Sequence, residues 1–157
     1  MKIRLICIGK TSSNYLLEGE KEYLKRLSHY CKVEKVEIPD IKKSNKLSQN
    51  DLKDLEGKEF LKQINPNERV ILLDEKGKSY DSIKFSKQLQ QIMNQGGKGI
   101  CFLVGGAYGF SDEIYAKSED KIRLSEMTFS HQMVRLFFLE QLYRGFTILK
   151  GEPYHHN

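Results

Sequence analysis

Short apolar runs alternate along the chain with longer mixed segments. Five apolar runs, at about residues 3–9, 33–38, 69–74, 100–104 and 122–124, have the length and composition of β-strands. The longer segments are predicted helices, at about residues 14–30, 50–64, 82–95, 112–118 and 131–150. In the first of them Leu16, Tyr23, Leu27 and Tyr30 follow the spacing of one helix face. This alternation predicts an α/β fold, a mostly parallel sheet covered by helices on both faces.

Turn and capping residues mark the boundaries between these elements. Ser111 and Ser130 stand where N-caps of the last two helices are expected, and Ser13 or Asn14 caps the first. The segment "EKGK" after the third strand predicts a turn, and the polar stretch "DIKKSNKLSQN" predicts a mobile loop. Because there are no repeats or low-complexity tracts, residues 1–157 are predicted to form a single domain.

Composition limits the classes of function. Lys and Arg number 26 against 21 Asp and Glu, a net charge of +5 that favours an anionic partner such as RNA without requiring one. Three cysteines without paired spacing indicate core side chains in a reducing, cytoplasmic environment. No apolar run approaches the roughly 20 residues of a membrane span, and "MKIRLICIGK" does not resemble a signal peptide. Two adjacent histidines near the end do not make a metal site without further ligands, so no metal is expected.

Open α/β sheets bind ligands beyond the carboxyl ends of their strands, so the loops after the strands are the candidate sites. After the first strand, "GKTSSN" lacks the earlier glycine of a P-loop, because position 4 is Arg4. Its hydroxyls, Thr11, Ser12 and Ser13, leave open a phosphate loop of the flavodoxin kind, with a plain helix cap as the alternative.

The fourth strand leads into "GGAYG", which contains Gly105, Gly106 and Gly109. A dinucleotide fingerprint requires a glycine where the sequence has Val104, so Rossmann-type binding is not expected. Two glycines at the end of a strand indicate that another backbone or a flat ligand approaches closely. A plain glycine turn is the alternative interpretation.

The last helix is unusual because apolar side chains point in almost every direction around it, while it also contains His131, Arg135, Glu140 and Arg144. In so small a domain, covering all sides of a C-terminal helix requires a second copy of the chain. The sequence therefore predicts a homodimer with this helix at the interface. Glu140 and Arg144, one turn apart, form either a plain ion pair within the helix or part of a site at the dimer margin.

Three motifs in order resemble one known family. "LVGGAYG", "LSEMTFSHQMVRLFFLEQLYR" and the terminal "PYHHN" are similar to the RlmH family of SPOUT-class methyltransferases. The likeness extends over essentially the whole chain, including "EYLKRL", "EIPD" and "LLDEKGK". One departure is Ser130, where the family usually has proline before the histidine; a serine there can still cap the helix.

The resemblance implies a fold with a C-terminal trefoil knot, a homodimer, and methylation of N3 of a pseudouridine in helix 69 of 23S rRNA, on the assembled ribosome. It implies S-adenosylmethionine as the cofactor, and no membrane partner. The implied cofactor-binding residues are Leu73, Gly105, Gly106, Leu124, Ser125, Glu126, Met127, Thr128 and Phe129.

The resemblance also points to residues for the target base and its phosphates, with the C-terminal tail completing the partner subunit's pocket. These are His155, Arg144, Tyr154 and Arg135, with His131 in a supporting position. His155 is hypothesised to accept the N3 proton, directly or through water. Two alternatives from other classes remain: a dimeric, non-catalytic module that binds RNA or the ribosome, and a flavin protein of the flavodoxin kind.

Overall fold

A computed structural model describes residues 1–97 and 99–156. Its strands are β1 (Lys2–Ile8), β2 (Lys32–Ile38), β3 (Glu68–Ser79), β4 (Gly99–Val104) and β5 (Asp120–Arg123). They form one parallel sheet in the order β2-β1-β4-β3-β5. The parallel pairing places the carboxyl ends of all five strands at one edge, where the sequence predicts a site.

Five helices cover the sheet, α1 (Asn14–Leu27), α2 (Gln49–Gln63), α3 (Ser82–Asn94), α4 (Asp112–Lys117) and α5 (His131–Lys150). Helices α1, α3 and α5 bury their apolar sides in a core on one face of the sheet. Helices α2 and α4 pack over a second core on the opposite face. The predicted α/β architecture, with helices on both faces, is confirmed.

The strands divide their side chains between the two cores by simple alternation. In β1, Ile3 and Leu5 belong to the first core, whereas Ile6 and Ile8 belong to the second. All six residues of β4 are buried, as expected for a strand near the middle of a sheet covered on both faces. Burial of both faces explains why these strands are continuous apolar runs in the sequence.

Two of the predicted helix caps are confirmed by their hydrogen bonds. Ser111 accepts from the Ile114 backbone N–H at 3.3 Å, and Ser130 accepts from the Met133 N–H at 3.2 Å. As the sequence predicted, the serine that stands at position 130, where a proline is usual, caps α5. Ser13 occupies the N-cap position of α1 but makes no capping bond through its side chain.

The prediction of a turn at "EKGK" is wrong. β3 continues through these residues to Ser79, and its pairing with β5 shifts in register between Leu73 and Lys78. A Cβ atom at Gly77 would lie 2.6 Å from backbone atoms of Ile122, so the glycine allows the β5 backbone to pass close by. Gly77 therefore marks an irregularity in the pairing of β3 with β5 and not a turn that reverses the chain.

Helix α5 is only partly covered by its own chain. Phe138, Leu139 and Leu142 are fully buried, and α1 and α3 pack against the helix on either side. Phe137, in contrast, is 37% exposed. Phe137 is thus an apolar side chain of α5 that this chain leaves partly uncovered, and the homodimer stays a prediction.

Three predictions about organisation stay predictions. The strand order does not by itself establish the C-terminal trefoil knot. The prediction that residues 1–157 form a single domain is likewise untested. The segment predicted to be a mobile loop contains an exposed 3₁₀ turn at Ser44–Lys46, which leaves its mobility open.

Candidate active site

A cavity of about 880 Å³ opens where the apolar part of β3 ends, at residues 73–76, and where β4 and β5 end. Its volume lies within the range of roughly 300–1,000 Å³ that is usual for cofactor sites. The structure brings all nine predicted cofactor-binding residues to its wall: Leu73, Gly105, Gly106, Leu124, Ser125, Glu126, Met127, Thr128 and Phe129. Residues far apart in the sequence thus meet at the edge where parallel strands end.

The glycine segment after β4 folds back on itself. The Gly109 N–H donates to the Gly106 carbonyl at 3.3 Å, and the two residues form an antiparallel bridge. A Cβ atom at Gly105 would lie 3.1 Å from the Gly109 carbonyl oxygen. The close contact is one within the loop itself, which is also what a plain glycine turn gives, so both interpretations of the glycines stay predictions.

The segment from Leu124 to Ser130 joins β5 to α5 along another wall of the cavity. Ser125 accepts from the Met127 backbone N–H at 2.9 Å, which forms a local turn. Glu126, Met127 and Thr128 are exposed, Met127 at 77%. Their backbone groups and side chains are accessible to a ligand.

Several residues on the cavity wall were not predicted. Asp74 accepts a hydrogen bond from the Tyr115 hydroxyl, and burial together with this bond raises the pKa of Tyr115. Lys53, Lys76 and Arg123 also line the cavity and contribute positive charge. Asp74 is the last residue of the predicted strand "ILLD", so its position in the sequence was a signal. Lys53 and Tyr115 come from helices, which sequence periodicity could not align with the strand ends.

Arg135 does not lie where the sequence suggested. Its side chain is completely buried, and its guanidinium donates to the carbonyls of Ile8 at 2.6 Å and Gly9 at 2.9 Å and to the Thr11 hydroxyl at 3.0 Å. These contacts bind α5 to the end of β1. Because no part of the group faces solvent, the geometry does not support the prediction that Arg135 binds the target RNA.

A network of buried charges surrounds this arginine. Lys35 donates to Glu20 at 2.7 Å and to Thr11 at 2.8 Å, while Glu37 lies 3.6 Å from Arg135 and accepts from the Thr11 backbone N–H at 2.7 Å. Partial burial opposes ionisation of Glu37, but the bond from Thr11 and the charge of Lys35 hold its pKa below the usual value. The network thus neutralises Arg135 internally.

The same network bears on the alternative of a flavin phosphate loop. Thr11 is only 4% exposed, and its hydroxyl is already occupied by Lys35, Glu20 and Arg135. Ser12 donates through its backbone and hydroxyl to Gln132. Two of the three hydroxyls proposed for a phosphate are therefore engaged within the protein.

The other three predicted catalytic residues form one polar cluster on the second half of α5 and the tail. Arg144 forms an ion pair with Glu140, lies 4.7 Å from the ring centroid of Tyr154, and approaches Nδ1 of His155 at 3.3 Å. The Tyr154 hydroxyl donates to Glu140 at 3.0 Å and contacts the Tyr23 hydroxyl at 3.1 Å. Glu140 and Arg144 are thus an ion pair within the helix and also part of this cluster.

The donor properties of this cluster follow from Arg144. A guanidinium has only N–H donors, so a hydrogen bond between the two side chains requires Nδ1 of His155 to be the acceptor. Burial and the hydrogen bonds of Tyr154 raise the pKa of its hydroxyl, which keeps this group protonated at neutral pH.

His155 and His156 line a second cavity, of about 590 Å³, beside the first. Tyr80 and Gln141 also line it. The two cavities share Ile122, Arg123 and Leu124 at the end of β5. The structure therefore brings the tail next to the predicted cofactor pocket, separated from it by the last strand, and does not place the tail inside it.

His131 lies at the start of α5 on the wall of the first cavity. Partial burial and the charge of Arg135 lower its pKa, while Asp40 acts in the opposite direction. This position agrees with the predicted supporting role, which stays a prediction.

The buried cysteines are chemically quiet. Cys7 and Cys101 are fully buried, and burial raises the pKa of each thiol to about 12. Within residues 1–97 and 99–156, no group of three or more potential ligand side chains is placed to hold a metal ion. None of the helices in this described part is long and apolar enough to cross a membrane.

Comparison with known proteins gives matches along the whole chain. The sequence profile of a family described as "Predicted SPOUT methyltransferase" matches residues 1–155. A protein of Flavobacterium psychrophilum named Ribosomal RNA large subunit methyltransferase H is 56% identical over 156 residues, which cover 99% of both chains. Proteins of the same name from Parabacteroides distasonis and Enterococcus faecalis are 51% and 44% identical, again over 99% of each chain.

A solved structure shows the same fold at low sequence identity. A probable methylase family protein from Haemophilus influenzae Rd KW20 superposes with a TM-score of 0.55 and 12% identity, covering 99% of this chain and 70% of that one. This likeness extends over all five strands and their helices and concerns the fold alone.

We predict that Arg135→Leu lowers the free energy of unfolding by about 3–5 kcal/mol, because it leaves the buried carbonyls of Ile8 and Gly9 without their donor. Urea denaturation would measure this. The control is Arg26→Leu, which removes an arginine paired with Glu22 and lying over the rings of Tyr23 and Tyr143, and it is expected to cost far less stability than Arg135→Leu. A variant as stable as the wild type but with weaker RNA binding would instead restore the predicted RNA-binding role of Arg135.

Proposed function

The chain belongs to the SPOUT methyltransferase family, and from this premise we propose that it methylates N3 of a pseudouridine in helix 69 of 23S rRNA on the assembled ribosome. The shared name of its relatives supports a methyltransferase of large-subunit ribosomal RNA, and the finer target follows the family resemblance. The observation that carries the proposal is the cavity at the ends of β3, β4 and β5, whose wall contains all nine expected cofactor residues.

The cofactor is S-adenosylmethionine, and the first cavity fits it. The cavity has a volume typical of cofactor sites, and a glycine loop and strand ends provide accessible backbone groups for the edge of an adenine. When bound, the cofactor supplies a methyl group that is already activated on a sulfonium. The protein therefore acts mainly by binding and orienting the substrate and by excluding water, and it has little need to activate the methyl donor.

The polar cluster of Arg144, Tyr154 and His155 is proposed to bind the target base. Loss of the N3 proton places negative charge on the two carbonyl oxygens beside N3, and fixed hydrogen-bond donors stabilise such charge. Arg144 is a donor of this kind, and a neutral His155 that accepts from Arg144 at Nδ1 would carry its proton on Nε2. The contact with Arg144 thus suits His155 to donate to the base, in place of the hypothesised role as acceptor of the N3 proton.

We further propose that the protein acts as a homodimer whose two chains share each site. Six large apolar side chains are exposed among the described residues, and three of them are Tyr15 on α1, Met127 before α5 and Phe137 on α5, at 66%, 77% and 37%. Phe137 lies 4.8 Å from the ring of Phe129, which lines the cofactor cavity. A second copy that covers this surface would lie beside the cavity, and its tail would complete the site.

The substrate is proposed to be an assembled ribosome, as the family resemblance implies. The net charge of +5 favours a polyanionic partner, although the cavity wall itself carries Asp74, Glu75, Asp112 and Glu126 beside Lys53, Lys76 and Arg123. With both subunits contributing, a dimer offers a larger surface to a folded particle than one chain alone.

The direct test of function is transfer of labelled methyl from S-adenosylmethionine to ribosomes from a strain without this gene, with isolated rRNA alongside. We expect label on the helix 69 pseudouridine in ribosomes and not in naked rRNA, with the nucleotide located by mass spectrometry. Cofactor binding without any transfer would contradict the proposed substrate. Absence of both would favour the non-catalytic RNA-binding module.

For His155, we predict that His155→Ala lowers kcat by about 100-fold and His155→Gln by about tenfold, because glutamine keeps a donor near the position of Nε2–H. The rate of both variants should still rise with pH as in the wild type, because in this proposal the N3 proton leaves to solvent water or hydroxide and not to the imidazole. A rate that no longer depends on pH in His155→Ala would return the histidine to the role of base.

The shared site can be tested with two variants that each disable one component. Gly105→Val places a Cβ 3.1 Å from the Gly109 carbonyl and should block the cavity, while Arg144→Ala removes the cluster's cation. Each homodimer should be inactive. A heterodimer purified through two tags should have about half the wild-type activity, because one of its two composite sites is intact. An inactive heterodimer would show that each chain uses its own tail.

A further inference from the structure

A buried carboxyl lies directly behind the glycine loop of the cofactor cavity. Glu56, on α2, is only 4% exposed, and its Oε2 has no hydrogen-bond partner among the described residues. A Cβ atom at Gly106 would lie 2.5 Å from Oε2 and 2.8 Å from Oε1. The carboxyl therefore occupies the space that a side chain at position 106 would need.

Packing fixes α2 in this position. Phe60, one turn after Glu56, lies 5.8 Å from the ring of Phe110, which follows the glycine loop. Both rings belong to the core on this face of the sheet. Glu56 is thus held against the Gly106 backbone by buried aromatic contacts, and Gly106 forms part of the cavity wall.

A buried carboxyl with one oxygen, Oε2, left without a partner costs stability, and the glycine loop of the cavity is what this carboxyl contacts. We infer that Glu56 is a positioning residue: its buried carboxyl holds the Gly105–Gly106 backbone in the conformation that binds the cofactor. This inference rests on the proposed function, since it assigns the first cavity to S-adenosylmethionine. Glu56 acts through the loop and does not touch the reacting atoms.

The surroundings of Glu56 make this positioning sensitive to pH. Burial and the charge of Asp40, in the segment after β2, raise the pKa of Glu56 to about 7, while a hydrogen bond from the Gly106 backbone lowers it. Next to Glu56, a Cβ atom at Gly57 would meet Ser111, the N-cap of α4, and Ile114 on α4, both uncharged. The ionisation of Glu56 is therefore expected to change near neutral pH.

The direction of the effect follows from the hydrogen bond. An ionised carboxylate accepts the Gly106 N–H more strongly than a neutral carboxyl does, so the loop conformation that binds the cofactor favours the ionised form. Cofactor affinity should be fully developed above about pH 7 and should fall as the pH drops through that value. A second titrating group on the cavity wall, His131, also senses Asp40, and its contribution must be separated.

The test measures binding of S-adenosylhomocysteine by calorimetry, which does not depend on activity. One linked proton changes an affinity by at most about tenfold per pH unit, so the wild type should bind about three- to tenfold more weakly at about pH 6 than at about pH 8. Glu56→Gln keeps the shape of the side chain and a hydrogen-bond acceptor but does not titrate. The affinity of this variant for S-adenosylhomocysteine should differ by less than about twofold between the two pH values. Any residual change in this variant belongs to His131.

The matched control is Glu20→Gln. Glu20 is equally buried but is bound to Lys35 and Thr11 away from the cavity. This variant should lose stability and keep the wild-type pH dependence. If Glu56→Gln instead keeps the wild-type pH dependence, the inference is overturned.

A second measurement needs no variant. In the cofactor-free protein, the NMR shift of the Gly106 amide should titrate near pH 7 with the ionisation of Glu56. An amide shift that stays constant across this range would overturn the inference even if Glu56→Gln failed to fold. Failure of the wild type to bind S-adenosylhomocysteine at any pH would overturn the proposed function itself.

Discussion

One buried side chain fixes the relation between the sheet and the last helix. Arg135 donates to the carbonyls at the end of β1 and to Thr11, and a guanidinium so completely buried is tolerated only because these acceptors and Glu37 surround it. Of the three guanidinium nitrogens of Arg135, only Nε has no hydrogen-bond partner among the described residues. Since the segment of residues 124–130 runs directly into α5, holding the start of this helix also holds one wall of the cofactor cavity.

From this anchor the helix divides into two functional halves. Its first half forms the cavity wall through His131 and Val134, and its second half, with the tail, presents the cluster around Arg144. The end of β5 separates the two cavities that these halves line. Such a division explains why an apolar helix contains so many polar residues: some brace the fold, and others are available to a substrate.

Much of this arrangement could be predicted from the sequence, because apolar periodicity and capping serines depend on local physics. The strands, the helices and the caps at Ser111 and Ser130 follow from it. The turn at "EKGK" was mispredicted because Gly77 allows the β5 backbone to pass close by. This is a contact between segments that are distant in the sequence. The burial of Arg135 and the contact of Glu56 with Gly106 were missed for the same reason. An arginine that braces a loop and one that binds a phosphate have the same sequence signature, and only packing distinguishes them.

The central claim is that the cavity at the ends of β3, β4 and β5 binds S-adenosylmethionine. The most direct measurement is hydrogen–deuterium exchange of the purified protein with and without the cofactor. The account predicts slower exchange in residues 104–109 and 124–131, which line this cavity, and no change in the exposed turn Ser44–Lys46. Protection confined to residues 80–85 and 154–156, around the second cavity, would contradict it.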